Sequence, residues 1–361
     1  MPSTAQTIIF NKLLTTVVER RASDLHLTIG TPPALRIEGE LVILEDQEIL
    51  TPDFIKGVID SFLTPEQKEK LKKNKQLVVA HSFDQKLRFK ITVYYQKGFL
   101  GVIFRYISPI VKNFSDLGLP VKSIEKFLSL KKGLVVISGP FDSGKTTTLI
   151  SIIETINKTK KKNIFTLEEP IEYIFINDQS IIEQREIKKD VNSFVEGLDL
   201  ISNEDVNIVF VSQITDKEVF SKIFKLIEGG RLVFVILEAE QAYQTIEKII
   251  NFFPSSEKEK IQEMLTNNLA GIINQKLIPS LNKKRILAYE ILIANLSVKN
   301  LIKEGKLKQL NSILQISQAE GMIGMDKCLA QLVRNAEISL EEALRNAIDM
   351  ENLKTMAERI L

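Results

Sequence analysis

Apolar and polar positions follow two regimes along the chain, and the change comes near residue 108. In residues 7–20, TIIFNKLLTTVVER, apolar side chains recur at three- and four-residue spacing, which predicts an amphipathic helix. DLHLTI, PALRI and ELVIL alternate around Gly30, Pro32, Pro33 and Gly39, the mark of short strands in hairpins. Helical spacing returns over 52–73, and KLRFKITVYYQKGFLGVIFRYI, 86–107, gives two β-rich runs about a turn near Gly98. Residues 1–107 therefore predict an α+β domain of mostly antiparallel strands. SPIVKNFSDLGLP, 108–120, has no clean period and reads as a linker.

Beyond residue 120, GLVVIS (133–138), KNIFTL (162–167), VNIVFVS (206–212), RLVFVIL (231–237) and ILAYEILIA (286–294) are short, nearly continuous apolar runs. Helical patterns separate the earlier ones. That combination predicts a parallel sheet covered on both faces, the α/β class, over residues 121–294. From 295 to 361 the pattern is helical.

Composition narrows the picture only a little. Hydrophobic residues are 44% and charged residues 26%, as in an ordinary soluble globular chain. Lys plus Arg is 48 against 46 Asp plus Glu, so global charge offers no argument for nucleic acid. The single cysteine, Cys328, cannot form an internal disulfide, and His26 and His81 belong to no metal-ligand pattern. No signal peptide opens the chain, and the longest apolar runs fall far short of the ~20 residues that span a bilayer. The expectation is a cytoplasmic protein that meets a membrane only through a partner.

The sharpest chemical signal lies at 139–146. Gly139, Pro140, Phe141, Asp142, Ser143, Gly144, Lys145 and Thr146 fit G-x-x-x-x-G-K-[ST], with a buried strand before and a helix after, and Thr147 joins them as a candidate nucleotide-binding residue. Successive backbone N–H groups and a helix N-terminus make an anion nest. Lys145 is expected at the terminal phosphates of ATP, and the Thr146 hydroxyl on Mg²⁺. Asp142 is out of place, since a carboxylate repels phosphate; binding survives if its side chain points outward, and Asp tolerates left-handed backbone.

The surroundings of this loop resemble the type IV pilus retraction ATPases, the PilT type of secretion-motor ATPase. RASDLHLTIGTPPALRIEGEL is similar to that family's PAS-like N-terminal domain, IFTLEEPIEY to its acidic box, EQREI (183–187) to its Q-R-E motif, and VKNLIKEGKLKQLNSILQ and GMIGMD to its C-terminal helical segments. The resemblance runs end to end and in order. It implies a RecA-like P-loop core after a PAS-like domain, and a hexameric ring on the inner-membrane face, working through a pilus platform protein. It also implies that Glu168 and Glu169 face Mg²⁺ or water, and that Arg88 and Arg105 reach the nucleotide.

Three of the family's polar motifs are altered. Its Walker B segment D-V-I-L-V-G-E-M-R-D reads Asn207 to Asp216 here, with Gln213 where the glutamate belongs. Gln213 can hydrogen-bond a water but cannot take its proton. The two histidine-box positions are Arg231 and Glu238, and two paired arginines are replaced by Asp199 and Asn203. Glu238 is a candidate to restore a carboxylate. The expectation is a nucleotide-binding homologue, weak or inactive as an ATPase, that joins a homo- or hetero-hexamer with an intact paralogue. Two alternatives stand beside it: an active motor with relocated carboxylates, and a scaffold that uses the fold alone.

Overall fold

The computed structural model describes residues 4–84, 87–214, 216–282 and 284–358; Lys86 and Thr215, on which the sequence reading drew, lie outside the described residues. The chain divides into two compact units. One comprises Met1–Ile110 with Pro170–Ile174, the other Val111–Glu169 with Phe175–Leu361.

The first unit runs α1 (Thr4–Glu19), β1 (Asp24–Leu27), β2 (Ala34–Ile37), β3 (Glu40–Ile43), α2 (Pro52–Phe62), α3 (Pro65–Asn74), β4 (Gln76–Ser82), β5 (Arg88–Gln96) and β6 (Phe99–Ile107). Its strands form one antiparallel sheet in the order β3-β2-β1-β6-β5-β4. Leu14, Leu25, Ile55, Phe89 and Phe104 are wholly buried in its core. The β5–β6 turn carries positive φ at both Lys97 and Gly98, as a right-twisted two-residue hairpin requires. The single helix expected over 52–73 is two helices. Thr64 accepts a hydrogen bond from the Gln67 N–H, the Gln67 side chain accepts one from the Thr64 N–H, and Pro65 sits in the first helical turn. This capping box starts a new helix where the apolar spacing alone runs on.

The second unit continues with α4 (Val121–Leu128), β7 (Gly133–Ser138), α5 (Lys145–Thr159), β8 (Asn163–Glu168), β9 (Ile181–Glu186), α6 (Phe194–Ile201), β10 (Ile208–Val211), α7 (Lys217–Glu228), β11 (Leu232–Leu237), α8 (Ala242–Asn251), α9 (Lys258–Asn268), β12 (Leu269–Pro279) and β13 (Arg285–Ile293). The sheet order is β13-β12-β7-β11-β10-β8-β9. The strands β7, β10 and β11 are buried along their whole length, as continuous apolar runs between two helical layers should be. Phe210 of β10 stacks on Phe234 of β11 with ring centroids 4.8 Å apart.

The expected all-parallel sheet ends differently: β12 is parallel to β7, but β13 returns antiparallel to β12. The polar Asn274 and Gln275, both wholly buried, break the apolar run that would have marked β12.

Helices α10 (Leu296–Lys303), α11 (Leu310–Ile316), α12 (Met325–Arg334), α13 (Leu340–Asn346) and α14 (Met350–Glu358) complete the chain. Ile278 and Ala288 of the β12–β13 hairpin pack with Leu329, Ala343 and Leu353 in a second small core. Cys328 lies in it, its Sγ accepting the Tyr289 N–H at 3.4 Å, and burial pushes the thiol up to about 12. On β13, Glu290 is wholly buried, and its Oε1 accepts the N–H of Ala242, the first residue of α8, at 2.7 Å. Among the described residues no helix is long and apolar enough to cross a membrane.

Candidate functional site

The strands β7, β8, β10, β11 and β12 run in one direction, so their carboxyl ends share one edge of the sheet. In an open α/β sheet that edge is where ligands bind. Residues 139–144 leave β7 there and enter α5, which begins at Lys145. Gly139 has φ 155°, and a Cβ on it would stand 2.2 Å from the Gln275 carbonyl oxygen and 2.4 Å from Ser143 Oγ. Gly144 has φ 85° and Asp142 φ 60°, so the left-handed geometry that Asp tolerates is the geometry it adopts.

Lys145 is buried, and its Nζ donates to the carbonyls of Gly139 (3.0 Å) and Pro140 (2.5 Å). Burial lowers its pKa, opposed by the carboxylates of Glu238, Asp142 and Glu240 in that order. Thr146 is half-buried, while Thr147 and Phe141 are exposed. The Asp142 carboxylate meets Arg285 Nη1 at 2.7 Å.

Gln275 is a site residue that periodicity and motif both miss. Its Nε2 donates to the Ser143 carbonyl at 2.7 Å, and its Oε1 accepts from Thr148 Oγ1 at 2.9 Å. It thus pins the loop to β12 from both sides. Its only advance signal is a polar pair in the middle of an apolar run.

The acidic end of β8 is equally tied down. Glu168 Oε1 accepts from Thr166 Oγ1 (2.7 Å) and from Gln184 Nε2 (3.0 Å), the glutamine of the Q-R-E segment. Glu169 Oε1 accepts from Lys188 Nζ at 2.5 Å, and its Oε2 from Gln213 Nε2 at 3.1 Å. The structure therefore joins Gln213 to Glu169. Glu238, the residue after β11, is exposed, and its carbonyl accepts from Lys248 Nζ at 2.8 Å.

Two other altered positions, Asp199 and Arg231, have structural partners. Asp199 pairs with Lys222. Arg231 Nη2 donates to the carbonyls of Ser202 and Glu204, each at 3.1 Å, just beyond the C-terminal end of α6.

Arg88 and Arg105 belong to the first unit. Arg88 donates to the carbonyls of Glu172 (2.5 Å) and Ile171 (2.7 Å) and to Ser82 Oγ (2.8 Å), while Lys90 pairs with the Glu172 carboxylate at 2.9 Å. Arg105 Nε pairs with the buried carboxylate of Asp24 at 2.9 Å.

Comparison with known proteins accounts for this combination. The profile of the type II/IV secretion system protein family matches residues 101–355. The type IV pilus retraction ATPase PilT of Pseudomonas aeruginosa is 31% identical over 345 residues, which cover 94% of this chain and 98% of that protein. A twitching motility protein of Neisseria gonorrhoeae is 31% identical over 346 residues, 96% of this chain and 92% of its own. A crystal structure of the pilus retraction motor PilT with bound ADP superposes with a TM-score of 0.84 at 36% identity, over 95% of this chain and 98% of that one. A chain matched along nearly its whole length in sequence and in fold, with the phosphate loop in place, belongs to the type II/IV secretion system protein family as a PilT-type homologue.

Proposed function

We propose that the chain is an ATP-binding, PilT-type subunit of a pilus retraction machine, and that its own hydrolysis is weak or absent. Nucleotide binding is supported by the loop: Gly139 leaves space that a Cβ would fill, and Lys145 lies beside it. The PilT structure it resembles holds ADP. Residues 139–146 would hold the phosphates, Lys145 the terminal ones and the Thr146 hydroxyl Mg²⁺. Bound Mg·ATP would supply the transferable phosphoryl group and its leaving group.

The observation that carries weak hydrolysis is at position 213. An amide stands where the family has an acid, and it donates to Glu169. An amide takes no proton from water. Loss of one such group typically costs ~10²–10⁴ in rate. The chain would then act as a ring subunit or regulator, in a hexamer of its own or with an intact paralogue, on a pilus platform protein.

One observation favours a second reading. Glu169, a carboxylate of the acidic box, is gripped by Lys188 and Gln213 and so is oriented, fit to serve an active motor.

Calorimetry should find ATP binding by the wild type that Lys145→Ala weakens at least tenfold; no binding at millimolar nucleotide would favour the scaffold. Phosphate release at saturating Mg·ATP decides between the other two readings. Near-background turnover is expected, whereas a family-like rate would establish the active motor, and its loss in Glu238→Gln the relocated carboxylate. Mass photometry with an intact paralogue should show species above monomer.

A further inference from the structure

Asp142 is the acidic residue of the phosphate loop, and its negative charge is felt at Lys145. A field that favours a protonated lysine acts with the opposite sign on an anion drawn to that lysine. Glu240 and Asp142, both of which act on Lys145, have cation partners, and both partners come from one hairpin. Lys276 of β12 holds Glu240 at 3.0 Å, and Arg285, the first residue of β13, holds Asp142 at 2.7 Å. Arg285 stands opposite Pro279 at the end of the same hairpin whose Gln275 grips the Ser143 carbonyl. Adjacent loop residues, Asp142 by its side chain and Ser143 by its backbone, are thus tied to one two-stranded element.

We propose that Arg285 is a specificity-determining residue of the phosphate site: by neutralising Asp142 it lets an acid-bearing loop accept a polyphosphate, and it favours the nucleotide with more negative charge. This rests on the nucleotide-binding reading above. The pair is about one-third exposed, 32% for Arg285 and 36% for Asp142, so solvent screens it in part. The effect is accordingly a modest affinity factor, about tenfold for ATP. It grows with phosphate count, because the field of an uncovered Asp142 acts on every added charge.

The test is a double-mutant cycle read by calorimetry with ATP, ADP and AMP, at low and high salt. Arg285→Ala should weaken ATP about tenfold, ADP less and AMP hardly at all, and high salt should narrow the differences. Asp142→Asn alone, which removes the acid and leaves the Arg285 charge, should bind ATP more tightly than the wild type. The double variant should return to within about twofold of wild type, as should Arg285→Lys, which keeps the charge. An Arg that merely braced the loop would shift all three nucleotides alike and would not be rescued by Asp142→Asn. Either result, or unchanged ATP affinity in Arg285→Ala, overturns the proposal. If Arg285→Ala does not fold, Arg285→Gln carries the same comparison. Failure of the wild type to bind ATP at all would instead overturn the nucleotide reading on which it depends.

Discussion

Changing an acid to its amide at position 213 does more than remove a proton acceptor. Gln213 Nε2 donates to Glu169 Oε2 at 3.1 Å, so a glutamate there would set two carboxylates against each other. One of the pair would then hold its proton to higher pH. Gln213→Glu alone should therefore raise phosphate release by no more than about twofold, since like charges so close do not both ionise. The exchange Gln213→Glu with Glu169→Gln keeps one donor and one acceptor and places the acid on β10's end. It should release phosphate faster than either single change under saturating Mg·ATP; equal rates would show that position 213 does not limit turnover. The phosphate loop was legible in the sequence because its residues are contiguous and its chemistry is local. The partners were not. Asp142 meets Arg285 across 143 residues of chain and Gln275 meets Ser143 across 132, and only the sheet brings them together. The sequence offered Glu238 as a candidate carboxylate for the site; the bond between Gln213 and Glu169 was not foreseen.

Among elements, the β12–β13 hairpin organises more than its apolar pattern suggests. Glu290 on β13 bonds the first N–H of α8, and burial, with Asp326 adding to it, raises its carboxyl from 4.5 to about 7 against the pull of the Ala242 and Met325 amides and Lys276. A folded-state pKa above the unfolded one means that the native protein binds the extra proton. Stability from this group is fully present below about pH 4.5 and is lost as pH rises through about 7. The shift corresponds to roughly 3 kcal/mol across that window. His26 and His81 are held below their ordinary value by burial and act in the opposite sense. The informative quantity is thus the difference between the wild type and Glu290→Gln. Relative to the variant, the wild type should lose melting temperature between pH 5 and pH 8; parallel curves would mean that Glu290 does not titrate there. The buried runs 133–138, 206–212 and 231–237 were readable as strands because continuous burial leaves one signature. The strands β9 and β12 were not, since the first is a half-exposed edge written IIEQRE and the second carries Asn274 and Gln275 inward.

At the scale of the molecule, the two units keep separate apolar cores, one around Phe89 and Phe104, the other around the β7–β11 sheet. The phosphate loop lies wholly in the second. Differential scanning calorimetry should show more than one transition, and Mg·ATP should raise only the one that belongs to the second unit. A single transition that moves as a whole would show that the units unfold together. The lone thiol offers a second view of the same event. Cys328 sits in the second unit, 4% exposed, and its pKa near 12 leaves almost no thiolate at neutral pH. The native chain is thus nearly silent to thiol reagents, and its labelling rate becomes a clock for the opening of the C-terminal core. A cysteine introduced on the surface could carry a fluorophore in the native protein with the wild-type thiol left in place.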